Sequence, residues 1–444
     1  MAKKRGSLFF VLSTIFISFF IMLDNFFCLA SGDDKDKMEL YAMSAVLLDG
    51  ESGRVLYGKK ENEPMANAST TKIMTCILIL EECDPEERVS ISAYAASMPK
   101  VNAGLRTGES YSVKELLYSM MLESHNDSAA ALAEHLGKNC LPELSAHTED
   151  IFSKEESKSA LKVFAKKMNE KAKEIGCEDT YFITPNGLDA TESIKYPDGT
   201  TRELEHHTTA KDLAKILSYC ILRSPQKELF LMITRSPSYV FTENGRSFSL
   251  QNHNAFLNMM EGAVSGKTGF TGKAGYCYAG AVERDGRVYV AALLACGWPN
   301  NKTYKWKDMR KLMDYGIGNY RRVELSENGA LVQAEKLPEI QVKHAQGQAI
   351  GEEVWIKGEL PDRKKAENRG VLLSEEEKLE IHIAMRQELE APIRKGEKLG
   401  EIRYGLGQEV FLTENILAPT QVLRINFAWC LTKVWEIYLH GICY

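Results

Sequence analysis

Two strongly apolar hairpins stand at opposite ends of a long helical stretch, and neither can cover its sheet face without the other. The first is Ser44-Ala45-Val46-Leu47-Leu48, a turn through Asp49-Gly50-Glu51-Ser52-Gly53, then Val55-Leu56-Tyr57; the second covers residues 276–282 and 288–294 around the turn Asp285-Gly286. Apolar, aromatic and β-branched runs bounded by Gly and Asp read as paired strands. Between them Ile73, Met74, Ile77 and Leu78 recur at helical spacing, as do Leu116, Leu117, Met120 and Met121. The expected fold class is α+β, with a sheet that closes only when distant segments meet. A chain of 444 residues, 44 % hydrophobic, has the apolar content for a large core and the length for two or three domains.

Residues 140–160 are polar and charged and read as an insertion joining helices, followed by a helix over residues 161–175 and the turn Thr184-Pro185-Asn186-Gly187. Beyond Arg322 the texture changes: Leu379-Glu380-Ile381-His382-Ile383-Ala384-Met385 alternates by twos, and Glu401-Ile402-Arg403-Tyr404 and Val410-Phe411-Leu412 follow among glycines. This predicts a small all-β domain over residues 323–417. After Pro419 a helix is expected over residues 421–441. Asn426, Lys433, Glu436 and His440 share one side of it, with Leu423, Ile425, Phe427, Leu431, Val434, Trp435 and Leu439 on the rest. Such a helix suits a membrane surface, although packing on the β domain would give the same pattern.

Lys3, Lys4 and Arg5 precede an apolar run over residues 8–23, and Cys28-Leu29-Ala30 precedes Ser31. That order reads as a signal peptide over residues 1–30, with an uncleaved anchor as the alternative; both export residues 31–444. The net charge of -6, with both signs dispersed, argues against nucleic acid as a partner. Cys76, Cys83, Cys140, Cys177, Cys220, Cys277 and Cys296 show no C-x-x-C spacing, so neither a zinc site nor a tight disulfide framework is signalled, and most read as buried small hydrophobes.

Chemistry concentrates in three places. Ser69-Thr70-Thr71-Lys72 opens a helix, where residues three apart share a face and the N-terminus favours developing negative charge. A serine hydroxyl is inert until a base takes its proton, and a lysine is that base only if burial or a neighbouring cation keeps it neutral. Alone the motif is weak, since a serine N-cap and a surface lysine produce it by chance. Ser124-His125-Asn126 after the second helical run and Lys267-Thr268-Gly269 before the second hairpin complete an ordered triplet common to class A β-lactamases and penicillin-binding proteins.

On these motifs the chain resembles the low-molecular-weight penicillin-binding proteins, the D-alanyl-D-alanine carboxypeptidases of a serine peptidase family that includes sporulation enzymes of Gram-positive bacteria. Thr184-Pro185-Asn186-Gly187-Leu188-Asp189, Thr209-Ala210-Lys211-Asp212-Leu213 and Ala391-Pro392-Ile393 extend the likeness over nearly the whole chain. The resemblance implies a penicillin-binding/β-lactamase-like transpeptidase domain over residues 31–322, then the small β domain, then a membrane-associating helix over residues 418–444. It implies Ser69 as nucleophile, Lys72 as base and Ser124 as proton relay. Asn126 would bind the substrate amide, and Lys267, Thr268 and Gly269 its terminal carboxylate. The N–H groups of Ser69 and Phe270 would form the oxyanion hole. It implies peptidoglycan stem peptides and β-lactam antibiotics as ligands, no cofactor and no catalytic metal. His125, where the family usually has glycine, is expected at the rim of the cleft. Lys305 reads as an exposed lysine of a basic run, with a second carboxylate contact as the alternative.

Rival functions are separable. A class A β-lactamase needs a deacylating glutamate, and no Glu-x-x-Leu-Asn follows Asn126. A zinc carboxypeptidase is disfavoured because His206-His207 lacks an H-E-x-x-H frame and reads as a polar loop. A non-catalytic wall-binding protein on the same fold would have lost the nucleophile or the base.

Overall fold

The computed structural model describes residues 38–141, 153–195, 199–325, 331–332, 334–363, 370–407 and 409–441. The chain divides into two units, Met1–Leu40 and Tyr41–Tyr444, and all that follows concerns the second. The expected signal peptide lies outside the described residues, as does most of the polar stretch after Cys140.

The two distant hairpins do meet. Strands β1 (Ser44–Asp49), β2 (Val55–Lys59), β3 (Ala263–Thr271), β4 (Gly275–Arg284) and β5 (Arg287–Leu294) form one antiparallel sheet in the order β2-β1-β5-β4-β3. β1 joins β5 with Ser44 opposite Leu294 and Asp49 opposite Tyr289. Every residue of β1 is buried, because helices cover both faces. Val46, Leu48, Val290 and Ala292 point into the main helical core. On the other face Leu47 and Tyr289 receive Gly316 of the helix Tyr304–Asn319, where a methyl group would already crowd both side chains. This two-sided burial is why the strand reads as a continuous apolar run rather than an alternating one.

Helix α1 (Lys72–Glu82) runs through the middle of the helical layer with all residues from Lys72 to Leu80 buried, as a helix apolar on every side requires. α2 (Val113–Leu122) starts on a capping box in which Ser112 and Glu115 satisfy each other's backbone N–H. α3 (Asn126–Asn139) follows directly. α4 begins earlier than periodicity indicates, spanning Lys154–Ile175. Ser153 and Glu156 form a second capping box there, a signal that lay inside the stretch read as an insertion. Further pairs, Thr191–Lys195 with Thr201–Glu205 and Ser238–Glu243 with Arg246–Gln251, were not anticipated; the first is a largely exposed ribbon, while the second turns Tyr239, Phe241, Phe248 and Leu250 to the core.

Beyond Arg321–Glu324, which pairs with Gly370–Leu373, the chain builds two three-stranded sheets around a core that includes Ile340, Val342, Leu399, Ile402, Tyr404 and Ile416. The turn of the first hairpin docks onto this part. Asp49 Oδ2 accepts the Leu372 N–H at 3.0 Å, Arg54 donates to the Leu372 carbonyl at 2.6 Å and pairs with Glu377, and Glu51 pairs with Arg322 at 3.0 Å. The last helix starts at Phe427 and ends at Gly441, later than residue 421. The preceding residues are extended, with Val422 bridged to Ile393 and Arg424 to Ala345.

Candidate active site

The turn that carries Ser69 is a short 3-10 segment, Ala68–Thr71, leading into α1. Ala68 sits at φ 48° and Ser124, on the link between α2 and α3, at φ 69°, so both non-glycine residues flanking the chemistry are left-handed. The turn is held from several sides. Asn67 Nδ2 donates to Thr70 Oγ1 and Thr71 Oγ1 at 3.1 and 2.9 Å. Gly187, at φ +80°, lies so close to the Ala68 carbonyl that a side chain there would overlap it. Gly269 of β3 approaches Ser69 in the same way: a Cβ on it would stand 2.9 Å from Ser69 N and 3.0 Å from Thr70 N. The Lys-Thr-Gly segment thus lies on strand β3 itself, one strand outside the hairpin it was expected to precede, and its glycine lets that strand abut the nucleophile.

Lys72 is completely buried, at 0 % exposure. Its Nζ has three neighbours: Ser69 Oγ at 2.9 Å, Asn126 Oδ1 at 2.8 Å and the Asn186 carbonyl at 2.7 Å. The last two can only accept, so they take the two N–H bonds of an uncharged amine and leave its lone pair for the Ser69 hydroxyl. Burial, and then the Lys267 charge, hold Lys72 well below the usual lysine range, with Asp127 opposing them. Asp127 is itself committed to the Ala103 and Leu105 N–H groups at 3.0 and 3.1 Å, which folds residues 99–105 over the site. Asn126 joins that wall by donating to the Pro99 carbonyl at 3.1 Å.

Lys267, also buried, donates to Ser124 Oγ at 3.0 Å and to the Thr268 carbonyl at 3.1 Å. Burial lowers it to about 7. Ser69, Lys72 and Asn126 form one hydrogen-bonded group and Ser124 and Lys267 a second, with Lys267 near enough to act electrostatically on Lys72; Thr268 and Gly269 follow Lys267 on β3. Phe270 is exposed at the end of the cluster, its ring 4.6 Å from that of Tyr276.

Lys305 stands apart. It is buried rather than exposed, donating to the Lys302 carbonyl at 2.6 Å with Tyr276 and Trp306 rings against its ammonium. A basic run on a helix has one inward face, and Lys305 is on it.

His125 is not at the rim. It is 6 % exposed, with Nδ1 2.8 Å from Ser119 Oγ and Nε2 3.3 Å from Glu123, and Ser119 continues to Ser128 Oγ at 2.8 Å. Burial keeps its imidazole below the ordinary range, hence neutral. The side chain fills the junction of α2 and α3 behind Ser124, so its substitution acts on stability rather than specificity. His125→Gly is expected to cost about 2 kcal/mol, lowering the melting temperature by roughly 4–8 °C. Its ranking of stem peptides should match that of the parent; a changed ranking at unchanged melting temperature would return His125 to the cleft.

Two contributors escaped the sequence reading. Asn186 was seen only as part of a turn, yet its carbonyl accepts from Lys72 Nζ at 2.7 Å, and a backbone atom leaves no residue-type signal. His206, read as loop, is buried: its Nδ1 accepts the Ile183 and Thr184 N–H groups at 3.0 and 3.3 Å, so Nε2 carries the proton and donates to Thr71 Oγ1 at 2.8 Å. Burial pushes it down to about 3, so it stays neutral and ties the turn at Asn186 to the nucleophile's turn.

Fold and constellation together describe a serine peptidase. The chain belongs to the D-alanyl-D-alanine carboxypeptidase family, whose profile matches residues 31–139 and 156–295, and the C-terminal domain of penicillin-binding protein 5 matches residues 371–424. The unmatched residues 140–155 coincide with the polar insertion. The chain is similar to the D-alanyl-D-alanine carboxypeptidase DacF of Bacillus subtilis, 28 % identical over 94 % of this chain and 95 % of the relative. It is also similar to DacB2 of Mycobacterium tuberculosis, 29 % identical over 62 % and 82 %. Among solved structures, penicillin binding protein 5 of Haemophilus influenzae shares the fold over 87 % of this chain and 98 % of its own, with TM-score 0.62 at 21 % identity. A Streptomyces K15 DD-transpeptidase mutant covers 64 % of this chain and 100 % of its own, with TM-score 0.52 at 26 % identity.

Proposed function

We propose that Ser69 of this carboxypeptidase attacks the carbonyl between the last two D-alanines of a peptidoglycan stem pentapeptide, releasing D-alanine and then returning to the free hydroxyl by hydrolysis. The observation that carries this assignment is the surroundings of the buried Lys72 amine: Asn126 Oδ1 and the Asn186 carbonyl can only accept from it, and Ser69 Oγ stands 2.9 Å away, so the neutral amine can turn its lone pair to that hydroxyl. As the Oγ–C bond forms, the hydroxyl proton passes to Lys72 Nζ, and Ser124, whose Oγ lies 3.0 Å from Lys267 Nζ, relays a proton to the departing amine as the C–N bond breaks. Lys267 and Thr268 hold the terminal carboxylate by a charge-assisted contact. The N–H groups of Ser69 and Phe270 receive the developing oxyanion. Water then cleaves the ester with Lys72 again as base. β-Lactams, which present a strained amide beside a carboxylate, acylate the same serine.

Incubating the enzyme with a synthetic pentapeptide ending in D-Ala-D-Ala should give tetrapeptide and free D-alanine by mass spectrometry; an intact pentapeptide would defeat the assignment. A class A β-lactamase remains disfavoured. Among the described residues the groups bonded to Lys72 are a hydroxyl, an amide and a carbonyl, and none is a carboxylate able to activate deacylating water. A fluorescent penicillin should therefore leave a long-lived adduct.

The enzyme's site of action is proposed to be outside the cytoplasmic membrane, with the helix Phe427–Gly441 lying on the bilayer. Phe427 is 82 % exposed, and Leu431, Val434, Trp435, Ile437, Tyr438 and Leu439 are also open, so this apolar surface is not consumed by packing on the β domain. Asn426 caps the helix through the Trp429 N–H at 2.9 Å and Lys433 pairs with Glu436 at 2.8 Å. Among the described residues no helix is long and apolar enough to cross a membrane. Cutting after Ile425 keeps the bridges of Val422 and Arg424, and should move the leaderless enzyme from the membrane fraction to the soluble one with pentapeptide trimming intact. Equal sedimentation of cut and uncut forms would refute the tether.

A further inference from the structure

Helices α1 and α3 both begin at the active site, with Lys72 and Asn126 bonded to each other across their first turns. Both end on a cysteine: Cys83 is the C-cap of α1 and Cys140 that of α3. Around the far ends the ligand atoms of Cys83, Glu87 and His135 lie within 4.8 Å of one another, with His135 Nε2 2.8 Å from Glu87 Oε2. The Cys140 thiol is near enough to act electrostatically on Cys83.

We propose that these four residues bind a zinc(II) ion, which ties the distal ends of the two helices. Tetrahedral zinc with sulfur at about 2.3 Å and nitrogen or oxygen at about 2.0–2.2 Å holds its donors roughly 3.3–3.8 Å apart. None of the three donors lies more than about an ångström beyond that spacing, while His135 and Glu87, at 2.8 Å, need to part slightly; both shifts are within the range of side-chain torsions, with Cys140 turning in as the fourth. The spacings, Cys83-x3-Glu87 and His135-x4-Cys140, are those of paired ligands in structural zinc sites. Two thiolates, an imidazole and a carboxylate suit zinc and repel magnesium or calcium by their softness.

Outer partners are already in place. Glu87 Oε1 accepts the Asp84 N–H at 3.0 Å, which fixes the carboxylate, and Lys167, 3.1 Å from Glu82 Oε1, also contacts the Cys140 sulfur. The cluster has a buried floor at Cys83 and an open side, His135 being 18 % and Glu87 41 % exposed, so an ion has a route in. At about 1.5 Å per residue the ion would sit some 16 Å along α1 from Lys72, too far to touch substrate. Its role is to tie the far ends of the two helices together, which adds to the stability of the fold.

The test uses the tag-free full-length chain, kept reduced with a phosphine, and zinc(II) or cobalt(II) as probe. Expected are one zinc per chain after dialysis and about two protons released as it binds. Cobalt(II) should give the ultraviolet sulfur-to-cobalt charge-transfer band. Zinc at about a thousandfold over its dissociation constant should raise the melting temperature by roughly 8 °C, reversed by a chelator. Cys140→Ser and His135→Gln, both at partly buried positions, should each weaken zinc binding at least tenfold and dim or shift the cobalt spectrum. Both should release D-alanine at the parent rate at 25 °C. Absence of the cobalt band from reduced protein would overturn the proposal. So would zinc affinity equal to the parent's in both variants, or peptide mapping that finds Cys83 disulfide-bonded to Cys140 in the chain as isolated.

Discussion

Ser69→Ala is expected to abolish the penicillin adduct and lower D-alanine release by on the order of 10⁴-fold or more. The methyl group keeps the backbone turn, which is fixed by Asn67, Gly187 and Gly269 rather than by the hydroxyl. Ser69 Oγ is the hydroxyl beside the Lys72 lone pair; Ser124 Oγ instead accepts from Lys267, an arrangement that does not prepare it to attack. Intact-mass measurement after drug treatment reads the outcome directly. Retention of the drug by Ser69→Ala would assign the nucleophile elsewhere and remove the basis of the mechanism.

Lys72→Arg is expected to be nearly as damaging, with acylation reduced by about 10³-fold or more, because guanidinium keeps the charge and cannot accept a proton. Arginine is also larger and permanently charged at a site with no exposure, so Lys72→Met serves as the control for folding. It should fold, bind substrate and be equally inert. The pH profile carries the same information. In the free enzyme Lys72 lies well below 10.5 and Lys267 near 7, each lowered first by burial. kcat/KM should rise as Lys72 becomes neutral and fall above about pH 7 as Lys267 loses the charge that holds the carboxylate. The two limbs belong to the coupled pair. A bound carboxylate raises Lys267, so the falling limb of kcat should move to higher pH. Near-normal acylation by Lys72→Arg, or a kcat/KM still climbing through pH 10, would contradict this assignment.

The candidate site was legible because its members are residue types that chemistry demands at fixed separations, in three motifs that tertiary folding brings near one another. The central sheet was legible for a similar reason, since two apolar hairpins had no other way to be covered. What stayed hidden depended on direction rather than type. Periodicity could not show that His125 points inward between α2 and α3, or that Lys305 is the inward lysine of its run. The Asn186 carbonyl is invisible to any reading of side chains. His206 was indistinguishable from its loop until the two N–H groups it accepts were brought to it. The grouping of Cys83 and Glu87 with His135 and Cys140 was missed because its halves come from separate helix ends and no C-x-x-C marks them. The last helix was placed too early, since its apolar pattern continues through residues that the β domain claims by bridging.

The left-handed backbone at Ala68 and Ser124 narrows the paths by which descendants of this sequence can change. Each non-glycine residue in that conformation costs about 1–2 kcal/mol, and glycine relieves it. A lineage selected for heat resistance is therefore drawn towards glycine at both positions, but the two are not equivalent. At position 68 the replacement removes one methyl group that takes no part in the chemistry, so the gain is open to selection. At position 124 the same step deletes the hydroxyl that Lys267 holds, so the locally more stable sequence is a less active one. Divergence among relatives should accordingly be tolerated at the first site and barred at the second, with heat tolerance acquired elsewhere in the molecule.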